Sequence, residues 1–174
     1  MERNYKEILN DITTFVFDVD GVLTNGSVLV STDGEMLRSM NVKDGYAMKK
    51  ALKSGYTVCI ISGGKNEGVR KRLRGLGITD IHLGVEDKVE CLDEFFDIYN
   101  INAENVAYMG DDIPDTFPMK LIGLPACPQD AVAEVKAISS YISHKKGGEG
   151  CVRDLIEQVM KVQGKWVDEV MSNE

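Results

Sequence analysis

Short apolar runs alternate with amphipathic stretches along this chain, and that alternation restricts the fold more than any other feature. Thr14-Phe15-Val16-Phe17, Thr57-Val58-Cys59-Ile60-Ile61 and Asn105-Val106-Ala107-Tyr108-Met109 are too short for helices and apolar at consecutive positions, as strands buried on both faces must be. Ile81-His82-Leu83 and Ile122-Gly123-Leu124 carry the same signal more weakly. Between the runs, Asp44 to Ser54 reads as a helix stopped by Gly55, and Lys65 to Arg74 as one stopped by Gly75 and Gly77. Asp87 to Tyr99 is a third, apolar at 89, 92, 95, 96 and 99. Strands and helices in turn, joined right-handedly, predict an α/β fold. The sheet is doubly wound, parallel and Rossmann-like, with its ligand crevice at the carboxyl ends of the strands.

One segment breaks the alternation. Val28 to Ser31, Thr32-Asp33-Gly34-Glu35 and Met36 to Asn41 read as a hairpin with an Asp-Gly turn, a flap at about 28–41 directly after the first strand's loop. Gly147-Gly148-Glu149-Gly150 reads as a flexible joint before a helix from Cys151 to Val162, opening a C-terminal tail at about 147–174 that holds the single tryptophan, Trp166. With 174 residues and 43% hydrophobic content the chain suits one domain, 1–174. Its 28 acidic and 20 basic side chains leave a net charge of −8, which argues against nucleic-acid backbones and anionic membranes as partners. Met1 to Asp11 is polar, and no run reaches the length of a membrane span, so the expected location is cytoplasmic. Cys59, Cys91, Cys127 and Cys151 are widely spaced, with His82 and His144 the only imidazoles, and signal neither a zinc site nor a disulfide framework.

The chemistry gathers where strands end. Asp18-Val19-Asp20-Gly21-Val22-Leu23-Thr24 follows the first apolar run. A lone Asp-x-Asp is usually a turn or a cap, but here alternate positions aim both carboxylates past the strand end, and Gly21 lets the backbone turn beside them. Carboxylates so close repel unless a cation or a shared proton intervenes. Ser62-Gly63-Gly64 follows the next strand and offers a hydroxyl and free N–H groups at a helix start, a place for phosphate oxygens. Lys88 opens the next helix, where the dipole disfavours a cation unless an anion is near; an ordinary surface lysine is the plainer reading. Gly110-Asp111-Asp112 with Asp115 follows a further strand, and clustered carboxylates there suit a hard cation such as Mg²⁺. Together these are the parts for phosphoryl transfer through an aspartyl phosphate.

These segments, in this order, resemble the four motifs of the haloacid dehalogenase-like phosphohydrolases, and the resemblance spans nearly the whole chain. It implies Asp18 as nucleophile and Asp20 as the acid/base. Mg²⁺ would sit on Asp18, the backbone carbonyl of Asp20, and Asp111. Ser62, Gly63 and Lys88 would hold phosphoryl oxygens, with Asp112 and Asp115 as supporting acids. Hairpin, helix and strand fill the stretch from Asp20 to Ser62, and a helix and strand fill that from Ser62 to Lys88, so neither gap holds a cap domain. A capless site needs another wall, and a neighbouring subunit is the economical supplier.

Within that family the chain is similar to the capless sugar-acid phosphatases that release 3-deoxy-D-manno-octulosonate from its 8-phosphate in lipopolysaccharide precursor synthesis. The likeness rests on Asp20 to Gly26, the hairpin with Gly34, Asn41-Val42-Lys43-Asp44-Gly45, and Lys145 to Gly150 with Arg153. It implies a homotetramer with associated hairpins and tails reaching neighbouring sites, and assigns Asn41, Asp44, Gly45, Lys49 and Arg72 to the sugar-acid phosphate. For Lys49 and Arg72 a solvated helix face is an equal reading. Members often have a larger charged residue where this chain has Gly64, so a 3-deoxy-nonulosonate 9-phosphate is the nearest rival substrate. Two rivals of other classes are a phospho-accepting receiver, which lacks an acid/base two residues after its acceptor, and a non-catalytic oligomerisation module.

Overall fold

The computed structural model describes residues 3–166. In chain order its elements are α1 (Tyr5–Leu9), β1 (Thr14–Phe17), β2 (Leu29–Val30), β3 (Met36–Leu37), α2 (Val42–Lys53), β4 (Thr57–Ile61), α3 (Glu67–Gly75) and β5 (Asp80–His82). There follow α4 (Lys88–Tyr99), β6 (Val106–Met109), α5 (Thr116–Met119), β7 (Leu124–Cys127), α6 (Ala133–Ile138), β8 (Tyr141–Ile142) and α7 (Cys151–Val162). Six strands form one sheet in the order β5-β4-β1-β6-β7-β8, and every pairing in it is parallel. The chain winds outward from β1 through β4 to β5, then returns to β6 and continues the other way. The crevice between β1 and β6 is therefore the switch point, where such sheets bind ligands.

Strict alternation along the strands builds two cores. Phe15 and Phe17 of β1, Val58 and Ile60 of β4 and Ala107 and Met109 of β6 face one side, packed by α2, α3 and α7. Val16, Cys59, Ile61, Val106 and Tyr108 face the other, against α4, α5 and α6. The consecutive apolar strands expected from the sequence are thus buried on both faces, and the doubly wound α/β fold stands. No cap domain is present among the described residues, and no helix there is long and apolar enough to cross a membrane. The weak strand expected at Ile122 to Leu124 is β7, which starts at Leu124. α1, α6 and β8 were not expected from the sequence.

The hairpin stands apart as a two-stranded sheet, Leu29 opposite Leu37 and Val30 opposite Met36, with Gly34 at φ +82° in its turn. It is shorter than the 28–41 span suggests, because the chain from Arg38 leads straight to Asn41. The Asn41 side chain caps α2 by accepting the N–H of Lys43 at 2.8 Å.

The Gly147 to Gly150 segment differs from the flexible joint expected of it. It is a packed contact, not a free joint. A Cβ on Gly147 would lie 1.9 Å from the Gly21 carbonyl oxygen, and the Gly148 N–H donates to the Val22 carbonyl at 3.0 Å. α7 then runs through the first core with Leu155, Ile156, Val159 and Met160 fully buried, each worth roughly 1.5–3 kcal/mol. At its far end the Gln163 amide donates to the carbonyls of Leu9 and Ile12, both at 2.8 Å. The last helix belongs to its own subunit's core, so the tail from 147 cannot swing to a neighbour as a unit. The remainder of that expected tail, 167–174, lies outside the described residues.

Asp44, in the first turn of α2, accepts the Arg153 N–H of α7 at 2.9 Å through Oδ1, while its buried Oδ2 has no partner. Burial, against the pull of Arg153, raises its carboxyl from 3.8 to about 6. The folded chain then holds this proton more tightly than the unfolded one. Stability from Asp44 is full below about pH 4 and falls as pH rises through about 6. Asp44→Asn keeps an acceptor without the charge. Its stability in urea, relative to the unaltered chain, should rise by roughly 1–3 kcal/mol between about pH 4 and about pH 7. A difference independent of pH would contradict this reading.

Candidate active site

Asp18 follows β1, Ser62 follows β4, and Asp111 follows β6, so parallel pairing alone carries three separated segments to one edge of the sheet. The backbone fixes this closely, since the Asp18 N–H donates to the Met109 carbonyl at 3.2 Å and the Ser62 N–H to the His82 carbonyl at 2.9 Å. A cavity of about 840 Å³ opens over this edge, lined by Asp18, Asp20, Ser62, Gly63, Lys88 and Asp111 among others. Ile113, Pro114, Phe117 and Pro118 give the lining an apolar part.

The turn after β1 requires Gly21. Its φ is +83°, and a Cβ there would sit 1.8 Å from Oδ2 of Asp111. The Thr24 hydroxyl accepts the N–H groups of Gly21 and Gly26, each at 3.2 Å, and so closes the loop on itself.

Lys88 is the electrostatic hinge of the site. Its side chain is 9% exposed, and its ammonium lies 3.2 Å from Oδ2 of Asp18 and donates to Oδ1 of Asp115 at 2.7 Å. Burial works against this cation, but Asp18 and Asp115 outweigh it and hold its pKa above the ordinary lysine value. The sequence position that made Lys88 look misplaced is thus answered by two anions of its own chain. Asp115 is saturated. Oδ1 also accepts the Tyr108 hydroxyl at 2.9 Å, and Oδ2 accepts the N–H groups of Asp111 at 3.0 Å and Asp112 at 3.4 Å. Asp112 caps the short turn that follows, accepting the Ile113 N–H at 2.8 Å.

Asp18, Asp111 and Asp115 each bring a carboxylate oxygen within 4.8 Å of the others. With four donors already on Asp115, the oxygens open to a cation are those of Asp18 and Asp111. Burial, then Asp115, pushes Asp18 well above the usual carboxylate range, while Lys88 and the Val19 N–H, at 2.7 Å from Oδ1, pull it back. Burial with Asp115 and Asp112 likewise raises Asp111 to about 7. Carboxylates crowded to this degree are short of positive charge, and a divalent cation fits that deficit.

The Asp20 side chain leaves this cluster. Arg38, from the hairpin, donates to it twice, Nε to Oδ1 at 2.9 Å and Nη2 to Oδ2 at 3.1 Å. Sequence reasoning missed Arg38, which belongs to no motif and differs from other surface arginines only in its position after β3. The remaining expected residues sit apart from the main cavity. Asn41 caps α2 and lines a second cavity of about 630 Å³ with Lys43, His144 and Arg153. Asp44 is turned to α7, Lys49 is exposed on α2, and the Arg72 guanidinium lies across Gly45, 2.7 Å from where a Cβ would be. Within one chain these five do not join Asp18.

No protein-family model matches the chain. A 3-deoxy-D-manno-octulosonate 8-phosphate phosphatase of Salmonella typhi is 36% identical over 155 residues, covering 89% of this chain and 82% of that protein. The crystal structure of the Yersinia pestis phosphatase of the same name superposes with a TM-score of 0.91 at 31% identity, covering 95% of this chain and 89% of the other. That from Moraxella catarrhalis, in complex with magnesium, phosphate and 3-deoxy-D-manno-octulosonate, superposes with a TM-score of 0.93 at 29% identity, covering 99% and 100%.

Removing the Asp115 carboxylate leaves Lys88, Tyr108 and two N–H groups without their acceptor. Asp115→Ala should cost about 3–5 kcal/mol in urea unfolding, whereas Asp112→Ala, which loses one cap bond, should cost about 1 kcal/mol. Equal costs would show that Asp115 is not the anchor of the cluster.

Proposed function

This chain belongs to the family of the 3-deoxy-D-manno-octulosonate 8-phosphate phosphatases, and we propose from that premise that it hydrolyses this ester through an aspartyl phosphate on Asp18. It is a phosphoric monoester hydrolase. The observation that carries the reading is the buried Lys88 held against Asp18, with Asp111 alongside, at the switch point of the sheet. An anionic nucleophile attacking an anionic ester needs compensating positive charge where the reaction occurs.

In this reading Asp18 attacks phosphorus as the bond to the sugar oxygen breaks. Asp20 gives its proton to that oxygen, then takes one from the water that attacks phosphorus and frees Asp18. Lys88 and the Ser62 hydroxyl, with the backbone at Gly63, hold the phosphoryl oxygens. Asp18, Asp111 and the Asp20 carbonyl would hold Mg²⁺, which offsets the charge of carboxylates and phosphate. The crowding that raises Asp18 and Asp111 supports this ligand set, since a cation there favours their ionised forms.

The product is a sugar acid on the route to lipopolysaccharide, and the enzyme works in the cytoplasm as a homotetramer. Support for assembly comes from the hairpin, where Leu29, Val30, Met36 and Leu37 are all about half exposed or more. A two-stranded sheet is marginal in water, and pairing hairpins between subunits would cover these side chains. The single domain 1–174 and the sugar-acid roles of Asn41, Asp44, Gly45, Lys49 and Arg72 stand on the same footing. Of these, Asn41 lines the second cavity, and the other four would meet substrate only through a neighbour.

A panel of sugar-acid phosphates with Mg²⁺ tests reaction and substrate together. The eight-carbon 8-phosphate should be turned over faster than a 3-deoxy-nonulosonate 9-phosphate, and the reverse order would reassign the substrate. Asp18→Asn should be inactive with the fold retained, and Asp20→Asn should lose roughly 10²- to 10⁴-fold. EDTA should abolish turnover and Mg²⁺ restore it; metal-independent turnover would contradict the ligand set.

A further inference from the structure

We infer that Arg38 is a positioning residue for Asp20, supplied by the hairpin and accommodated by Gly64; the inference rests on the acid/base role given to Asp20 above. The hairpin is inverted relative to an ordinary β-ribbon. Its apolar residues face solvent, while the Arg38 side chain is 9% exposed. Burying a long arginine costs side-chain entropy, so a defined geometry must return it. Three hydrogen bonds do so. Two form a fork on Asp20, and the third runs from Nη1 to the Met36 carbonyl at 2.9 Å. That same carbonyl accepts the Asn66 side-chain amide at 2.8 Å, and Asn66 caps α3 through the Val69 N–H at 3.0 Å. The Asp20 carboxylate is thus tied, through the flap, to the start of a core helix.

A guanidinium fork fixes the plane of a carboxylate as a single ammonium does not. Each Asp20 oxygen keeps a second lone pair, and the residue, with a side chain 37% exposed, lines the main cavity. Arg38 therefore sets the direction from which Asp20 meets the leaving oxygen, without touching substrate itself. Gly64 is the other half of the arrangement. A Cβ there would lie 3.2 Å from Arg38 Nη2 and 3.2 Å from Asp20 Oδ2, so a side chain at 64 would press on the pair. At this position the chain holds the space beside Ser62 free for an arginine arriving from the flap.

Leaving-group dependence separates positioning from mere structural support. An alkoxide needs the Asp20 proton as it leaves, whereas 4-nitrophenolate leaves with little help. The test compares kcat/KM, which covers steps through phosphoryl transfer to the enzyme, for 3-deoxy-D-manno-octulosonate 8-phosphate and for 4-nitrophenyl phosphate. Arg38→Met should lose at least about tenfold on the sugar ester and less than about threefold on the aryl ester. Arg38→Lys keeps the charge without the fork and should show the same selectivity at smaller size. It decides the matter if Arg38→Met does not fold, as judged by its urea midpoint. Equal losses on both esters by a folded variant, or no loss on either, would overturn the inference. Failure of the unaltered chain on both esters would instead overturn the phosphatase reading, and this inference with it.

Discussion

The site depends on one buried cation. Lys88 lies between Asp18 and Asp115, and each of the three would be costly to bury alone. A parallel sheet sends the loops after β1 and β6 to the same edge, so acids needed for chemistry are forced together there. Lys88 comes from the first turn of α4, on the opposite face of the sheet from α2 and α7, and makes that convergence tolerable. Asp115 orients it, fixed in turn by Tyr108 and by two backbone N–H groups. Asp18 is left with one oxygen on the Val19 N–H and the other facing the ammonium. A side chain so held loses little freedom on meeting substrate.

Because no cap domain is present among the described residues, the walls of the site come from elsewhere in the same short sequence. The flap contributes Arg38 to Asp20, and α5 with its preceding turn contributes an apolar wall. The Gly147 to Gly148 backbone is wedged against the turn that carries Asp20 and Gly21. Anything that loosens α7 therefore loosens the turn after β1, which links global stability to the geometry of the nucleophile loop. The flap's exposed apolar strands are the part of the molecule that an assembly would stabilise, and the second of them runs directly into Arg38, whose guanidinium grips Asp20.

Much of this was legible in the residues. The strands were, because sheets buried on both faces demand unbroken apolar runs. So was the convergence of Asp18, Ser62, Lys88 and Asp111, because their order along the chain matches the order of strand ends. α1, α6 and β8 were not, being five, six and two residues long, too short to show a period. Gly147 and Gly148 read as flexibility, although they serve close backbone approach. Composition alone does not distinguish the two. Arg38 was invisible because its meaning lies in a tertiary contact, and a lone arginine just after an exposed hairpin has no local signature. For Asp44 the sequence held no sign of its contact within the chain, where Oδ1 accepts the Arg153 N–H of α7.

The account's central claim is that Asp18 carries the phosphoryl group between the two steps. Rapid acid quench of the Mg²⁺-loaded enzyme during turnover, followed by borohydride reduction and peptide mass spectrometry, reads this directly. An acyl phosphate on Asp18 is reduced to homoserine, and the account predicts homoserine at position 18 in a substrate-dependent fraction of the protein, absent from Asp18→Asn. Active enzyme that yields no such product in the quench, or yields it at another aspartate, would contradict it.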